Sequence, residues 1–191
     1  MIEGLLPKRE ENRFPKKSGM TPCGELFQSN RGEELRRAIA GLYAAFAGCR
    51  LGDDFACCPH CFTDADVFYL KDTPLPRLSD NDSSLILGKS ITTLGSAKDF
   101  NYFLPRILEA WARHAHYMEH AIPKKLDLAR QVGWSNTQEK AVSNFLRAFF
   151  QAANAVTPNT TFYYELSGEI EESLRRQFPE IAQELRIELH E

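Results

Sequence analysis

The chain lacks any hydrophobic run long enough to cross a bilayer, and it lacks a strong excess of charge of either sign. A membrane-spanning helix needs about 20 consecutive apolar residues, and no such stretch occurs among the 191 residues. The formal net charge is −3, with 23 basic and 26 acidic residues mixed along the chain. No basic stripe suited to nucleic acid is present. The sequence therefore predicts a protein that binds neither membrane nor nucleic acid.

A secretory signal is also missing from the sequence. The apolar residues Ile2, Leu5 and Leu6 run directly into Pro7 and Lys8, so no apolar central region follows the start. We therefore expect a cytoplasmic protein, whose thiols stay reduced.

The motifs that identify common enzyme classes are missing too. The sequence contains no glycine-rich phosphate loop, nucleophile elbow, dinucleotide fingerprint or kinase signature. We therefore assign no catalytic residue and no organic cofactor site. Cysteine is scarce, with 5 in the chain, but all except Cys23 are crowded between positions 49 and 61. An odd, crowded set of thiols favours a metal site or buried thiols over a disulfide framework.

Apolar periodicity predicts an all-α fold. Apolar side chains recur at spacings of three and four in successive segments, and the best strand candidate, 160–164, is short. The expected architecture is a single-domain helical bundle of about six to eight helices with a cysteine-rich loop. Residues 1–29 are predicted to be a poorly ordered N-terminal segment, and residues 30–191 to be the helical domain.

Capping residues predict where the first helices begin and end. Ser29 or Asn30 is expected to cap the first helix, which should stop at Gly48. A short helix should begin at Thr63 and turn Val67, Phe68 and Leu70 inward. A longer helix should begin at Ser79 or Asp80 and end at Gly95.

The later helices are predicted in the same way. Ser96 should cap a helix with a wide apolar stripe, in which Pro105 is expected to produce a kink or a break. Another helix should cover Ile122 to Val132, and Asn136 or Thr137 should cap the next one. The segment 167–190 is predicted to be helical and divided at Pro179.

The cysteine-rich loop is the main candidate site. In Cys57-Cys58-Pro59-His60-Cys61, two residues separate Cys58 from Cys61, so both thiolates can face one zinc ion. Cys57 or Cys49 could add a third ligand, and His60 or a distant histidine a fourth. The alternatives are thiols that pack as small apolar residues, or a redox dithiol.

Three histidines lie close together in the second half of the chain. On a continuous helix His116 and His120 share a face, as two ligands on a metal-binding helix do. The glutamate that a zinc protease needs directly after the first histidine is missing, because Tyr117 stands there. The alternative is a solvated helix end. If one of these histidines completes the cysteine site, their substitution should lower the zinc content.

A row of charged residues lies on the apolar helix that follows Ser96. Asp99, Arg106 and Glu109 recur on one side of that helix, as a buried ion network or as the solvent edge of the stripe. Trp111 and Trp134 are expected to pack in the core.

Several pieces of the chain resemble a family of bacterial proteins of unassigned function. The pieces are Leu42 to Ala47, the Cys57 to Cys61 loop, Pro74 to Leu78, and Thr92 to Glu109 with its D-F-x-x-F-L-P-R-I-L-E pattern. Asn101-Tyr102 stands where the family often has Arg-His, so no histidine role carries over. The resemblance implies that the following residues belong to one structural unit: Cys58, Cys61, Asp99, Phe100, Pro105, Arg106 and Glu109. It implies no particular activity.

Three functions remain open from the sequence. The first is a non-catalytic protein that binds a partner protein, as a toxin-neutralising or regulatory protein does, with a possible structural zinc site in the loop. The second is a zinc-dependent enzyme with Asp53, Asp54 or Glu119 as its base. The third is a thiol redox sensor that uses Cys57, Cys58 and Cys61.

Overall fold

A computed structural model describes residues 26–113, 121–156, 176–181 and 183, and these residues form helices and connecting loops without a strand. Six α-helices follow in order: α1 (Gly32–Ala45), α2 (Asp64–Asp72), α3 (Asp80–Lys89), α4 (Ala97–Arg113), α5 (Ile122–Gln131) and α6 (Asn136–Val156). A short 3₁₀ helix, Leu75–Arg77, joins α2 to α3. The predicted all-α helical bundle is confirmed.

Helix α4 lies at the centre of the bundle. Its apolar stripe is buried along the whole helix, and it contacts α1, α3 and α5, while α1 packs mainly on α6. Trp111 is 1% exposed, and its ring centroid lies 4.4 Å from that of Phe149 on α6. Trp134 is partly buried and donates from Nε1 to Asn101 Oδ1 at 2.8 Å. Trp111 lies in the core, as predicted, whereas Trp134 packs against the edge of the core.

Helix α4 runs through Pro105 without a break, so the broken alternative is wrong. A proline inside a helix removes one backbone hydrogen bond and costs about 3 kcal/mol. Apolar side chains on both sides of it, including Phe100, Phe103, Leu108 and Trp111, are almost fully buried. Burying one such side chain contributes about 1.5–3 kcal/mol, so packing keeps the two halves of the helix together.

Three helices begin with reciprocal capping boxes. In each, the side chain of the cap residue accepts a hydrogen bond from the backbone N–H of the residue three positions later, and the carboxylate of that later residue accepts one from the backbone N–H of the cap. The pairs are Thr63 with Asp66, Ser79 with Asp82, and Ser96 with Asp99. The predicted starts of α2, α3 and α4 are therefore confirmed.

The first and last caps differ from the prediction. Arg31 rather than Ser29 or Asn30 precedes α1, because the Ser29 hydroxyl donates instead to the Leu26 carbonyl at 2.7 Å. At α6, Ser135 replaces the expected Asn136 or Thr137, since its hydroxyl accepts from the Gln138 backbone N–H at 3.3 Å.

Two helices end earlier than their glycines predicted. Helix α1 ends at Ala45, before Gly48, and α3 ends at Lys89, six residues before Gly95. The Lys89 carbonyl accepts from the N–H groups of both Thr93 and Leu94, which closes a tight turn after α3. Glycine therefore lies beyond these helix ends rather than at them.

The inward face predicted for α2 is wrong at Phe68, whose side chain is 70% exposed, although Leu70 is buried. Residues two apart on a helix point about 200° away from each other, so the two side chains cannot share a face.

Arg106 is buried, as the ion-network alternative predicted, and its nearest partner is Asp80 on α3, which lies outside the predicted row. Its Nη2 lies 2.5 Å from Asp80 Oδ1, and its Nε donates to the Leu78 carbonyl at 2.7 Å. Glu109 is 3.8 Å from Arg106 and accepts from the Tyr43 hydroxyl at 2.6 Å. Asp99 caps the start of α4. The three charged residues of the predicted row therefore have two roles, capping at Asp99 and ion pairing at Arg106 and Glu109.

The described part of the C-terminal segment packs on α5. Phe178 and Ile181 are buried, as their stripe predicted, and the Arg130 guanidinium lies 5.4 Å from the Phe178 ring centroid. The predictions for residues 1–25, the strand candidate 160–164 and most of 167–190 fall outside the described residues. Within the described ranges, no helix is both long enough and apolar enough to cross a membrane.

Candidate functional site

The cysteine-rich loop lies between α1 and α2 and is paired with the loop that joins α3 to α4. The Gly95 N–H donates to the Ala56 carbonyl at 2.8 Å, and the Cys58 N–H donates to the Thr93 carbonyl at 2.8 Å. These bonds flank an antiparallel bridge between Cys57 and Leu94. The backbone of the cysteine loop is thereby held on the central part of the fold.

This pairing separates the two adjacent cysteines, because successive side chains in extended backbone point to opposite sides. Cys57 packs against the hydrophobic core, and burial raises the pKa of its thiol. Asp99 and Asp66 raise that pKa further, while Lys71 lowers it. Cys57 is therefore a poor nucleophile near neutral pH.

The turn from Cys58 to Cys61 has a different chemistry. The Cys61 and Phe62 N–H groups donate to the Cys58 carbonyl at 2.9 and 3.0 Å, which closes the turn around Pro59. Hydrogen bonding by the His60 backbone N–H first, and then by the thiol and backbone N–H of Cys61, lowers the pKa of Cys58. Hydrogen bonds to a sulfur stabilise its thiolate form, which is the form that reacts.

His60 adds an imidazole to the same turn. Its Nδ1 lies 3.8 Å from the Cys58 Sγ, and both His60 and Cys61 are exposed to solvent. The turn therefore presents the Cys61 thiol and the His60 imidazole to solvent, beside the partly exposed Cys58.

Cys49 has a separate environment on the side of α6. It is partly buried, its sulfur accepts from Gln138 Nε2 at 3.6 Å, and burial raises the pKa of its thiol.

The predicted zinc ligands are thus distributed over different environments. Among the residues that the structure describes, no group of three or more histidine, cysteine or acidic side chains is placed to hold a metal ion. His116, His120 and Glu119 fall outside the described residues, so their part in the prediction has no structural outcome. Asp53 and Asp54 are exposed loop residues.

Sequence reasoning missed the loop on which the site rests. Ile91 has a φ of 67°, a left-handed conformation that is an outlier for a β-branched residue. A polar residue, Ser90, interrupts the apolar pattern after α3, and Gly95 follows it. Together these two signals would have indicated a helix end and a tight loop there.

Comparisons with known proteins identify no relative of this chain. No family model matches it, and neither the curated proteins nor the solved structures contain a significant match. The function must therefore be argued from the residues and the geometry.

Proposed function

We propose that the protein is a non-catalytic protein that binds a partner protein, and that a reversible disulfide between Cys58 and Cys61 controls this binding. The observation that supports the proposal is the tight turn, closed by hydrogen bonds of the Cys61 and Phe62 N–H groups to the Cys58 carbonyl, which brings Cys58 close to the exposed Cys61 thiol and the His60 imidazole. A thiol with a lowered pKa, exposed beside a second thiol, is the arrangement that redox-sensing cysteines use.

The reaction needs a low-molecular-weight disulfide as oxidant, of which glutathione disulfide is an example. The Cys58 thiolate attacks one sulfur of the oxidant, forms a mixed disulfide and expels one thiolate. Cys61 then loses its proton and attacks the Cys58 sulfur, which expels the second thiolate. The protein loses two electrons and two protons, and the oxidant leaves as two thiols.

An exposed aromatic side chain near this turn supports the binding role. Phe68 is 70% exposed on α2, a helix that begins three residues after Cys61. Aromatic residues are enriched in the buried centres of protein interfaces, where they fill apolar pockets of the partner. We therefore assign Phe68 to the partner-binding surface, with an apolar pocket as its target.

The thiol part of the proposal is tested by titration with glutathione disulfide, followed by mass spectrometry of the peptides. We expect a Cys58–Cys61 disulfide in the wild-type protein and only mixed disulfides in Cys61→Ser. Cys49→Ser is the control and should behave as the wild type. Absence of the intramolecular disulfide in the wild type, at any ratio of oxidised to reduced glutathione, would refute the switch.

The binding part is tested by affinity capture from the native host with reduced and oxidised protein. We expect a partner protein that is recovered with only one of the two forms and is lost with Phe68→Ser. The exposed Val132, on the segment after α5, offers a matched control in Val132→Ser. Recovery of no partner above background with either form would count against a binding role.

A structural zinc site is the second candidate, and the His60 contact favours it. A sulfur and an imidazole nitrogen bound to one tetrahedral zinc ion lie about 3.5 Å apart, and the two atoms here are 3.8 Å apart. Zinc analysis of protein purified without a histidine tag distinguishes the candidates. About one zinc ion per chain, lost in Cys58→Ser, would favour the structural site. A structural site takes four protein ligands and a zinc-dependent enzyme takes three, so either one needs ligands beyond those that the described residues bring together.

A further inference from the structure

The loop between α3 and α4 holds one residue in a strained conformation. Ile91 has a φ of 67°, and in the described part of the chain no other non-glycine residue has a positive φ. Such a conformation persists only where the surrounding contacts enforce it, and it is concentrated at functional sites.

The contacts that enforce it come from both ends of the loop. On the α3 side, the Ile91 N–H donates to the Leu94 carbonyl at 3.1 Å, and the Lys89 carbonyl accepts from Thr93 at 2.9 Å. On the other side, the Thr93 carbonyl accepts from the Cys58 N–H at 2.8 Å. Thr93 therefore bonds directly to both the strained turn and the thiol turn, and the bond between Gly95 and Ala56 holds the same two loops together.

The hydrogen-bonding capacity of the Thr93 side chain is not fully used. Its hydroxyl oxygen is buried and has no hydrogen-bond partner among the residues that the structure describes. A buried hydroxyl without a partner is unfavourable, so this loop conformation carries a second cost beside the strain at Ile91.

We propose that Ile91 is a positioning residue for the Cys58–Cys61 pair. The strained conformation of Ile91 is held in the dithiol form and relaxes when the disulfide closes. This inference rests on the proposed thiol switch. The structure contains Cys58 and Cys61 as free thiols, so the strain belongs to the reduced form.

Closure of the disulfide supplies the movement that releases the loop. The S–S bond brings the two sulfurs to about 2 Å, and the coupling requires that the Cys58 backbone moves with its sulfur as the bond closes. Because Cys58 N–H is bonded to the Thr93 carbonyl, that shift acts directly on the strained loop. Relief of strain in the reduced form then favours the disulfide.

The test is the equilibrium constant for disulfide formation in glutathione redox buffers, measured on the full chain. Ile91→Gly removes the strain of the reduced form, because glycine adopts positive φ readily, and we expect the constant to fall about tenfold. Ile91→Asn, which also tolerates this conformation, should give a smaller fall in the same direction. Thr92→Gly makes the same loop equally flexible without relieving strain at Ile91, and it should leave the constant within about twofold of the wild type.

A second measurement separates loop release from a general loss of structure. Amide hydrogen exchange at Cys58 and Gly95 should be faster in the oxidised than in the reduced wild-type protein, while exchange in α6 stays unchanged. Equal constants for the wild type and Ile91→Gly, with the disulfide formed in both, would overturn the coupling and leave the switch intact. Failure of the disulfide to form in the wild type would instead refute the switch itself.

Discussion

The Nδ1 of His60 lies 3.8 Å from the Sγ of Cys58, two residues earlier on the same exposed turn. Hydrogen bonding by the His60 and Cys61 backbone N–H groups lowers the pKa of Cys58, whereas burial raises the pKa of Cys57 and Cys49. The four described cysteines therefore differ in reactivity in a way that can be measured.

We predict that Cys58 is alkylated fastest of the four described cysteines near neutral pH. Its lowered pKa gives it a larger thiolate fraction, and burial raises the pKa of Cys49 and Cys57. The rate at Cys58 should also reach its plateau at a lower pH than the rates at those two residues. Iodoacetamide labelling across pH 6 to 10, about the range in which thiols titrate, with peptide mass analysis, measures this. Faster labelling of Cys49 or Cys57 at neutral pH would contradict the assignment.

We predict that Arg106→Ala lowers the free energy of unfolding by about 3 kcal/mol. The change leaves Asp80 without the guanidinium that lies 2.5 Å away, and it removes the hydrogen bond to the Leu78 carbonyl. Urea unfolding measures the loss. Arg37→Ala is the control, because its pair with Glu33 on α1 is exposed and such pairs contribute about 0–1 kcal/mol. Equal effects of the two substitutions would show that burial of Arg106 does not matter.

We predict that the burial of Lys125 makes the free energy of unfolding depend on pH. Its amino group is buried and donates to the Leu87 and Ser90 carbonyls at the end of α3. Burial lowers its pKa below the usual 10.5, so between the folded and unfolded pKa values the unfolded chain binds more protons. The contribution of Lys125 to stability therefore rises with pH across that window, is complete above 10.5 and is lost as the pH falls through the lowered folded pKa.

Urea unfolding of the wild type and Lys125→Met between about pH 7.5 and 10.5 checks this sign. We expect the wild type to gain stability relative to Lys125→Met as the pH rises. The neighbouring Lys124 is exposed, so Lys124→Met is the matched control for the loss of one lysine from α5. A difference for Lys125→Met that shrinks with rising pH would have the wrong sign.

Two glycines that are close in sequence should respond oppositely to alanine. Gly88 lies in α3 with nothing within 4 Å of an added Cβ, so Gly88→Ala should stabilise the fold by about 0.5–1 kcal/mol. Gly95 has a φ of 58°, and an added Cβ would lie 2.9 Å from the Phe55 ring. Gly95→Ala should therefore cost about 1–3 kcal/mol. Thermal or urea unfolding compares them, and a stabilising Gly95→Ala would show that this part of the loop is not constrained.

Local patterns in the sequence predicted most of the helices correctly. The capping boxes at Thr63, Ser79 and Ser96 involve residues three apart, so their hydrogen bonds depend on the local sequence alone. The buried stripe of α4 was predictable for the same reason, because side-chain spacing along a helix sets which residues share a face. The helix ends were less predictable, since α1 stops three residues before Gly48 and α3 stops at a tight turn closed on the Lys89 carbonyl, six residues before Gly95.

The all-α class, the starts of α2, α3 and α4, and the turn from Cys58 to Cys61 are predictable from the amino-acid sequence, because each depends on residues a few positions apart. The pairing of Arg106 with Asp80, the inward packing of Cys57 and the strain at Ile91 come from tertiary contacts. These features depend on which helices and loops come together in space. Arg106 and Asp80 are 26 residues apart, and Cys58 and Thr93 are brought together by a hydrogen bond between two loops.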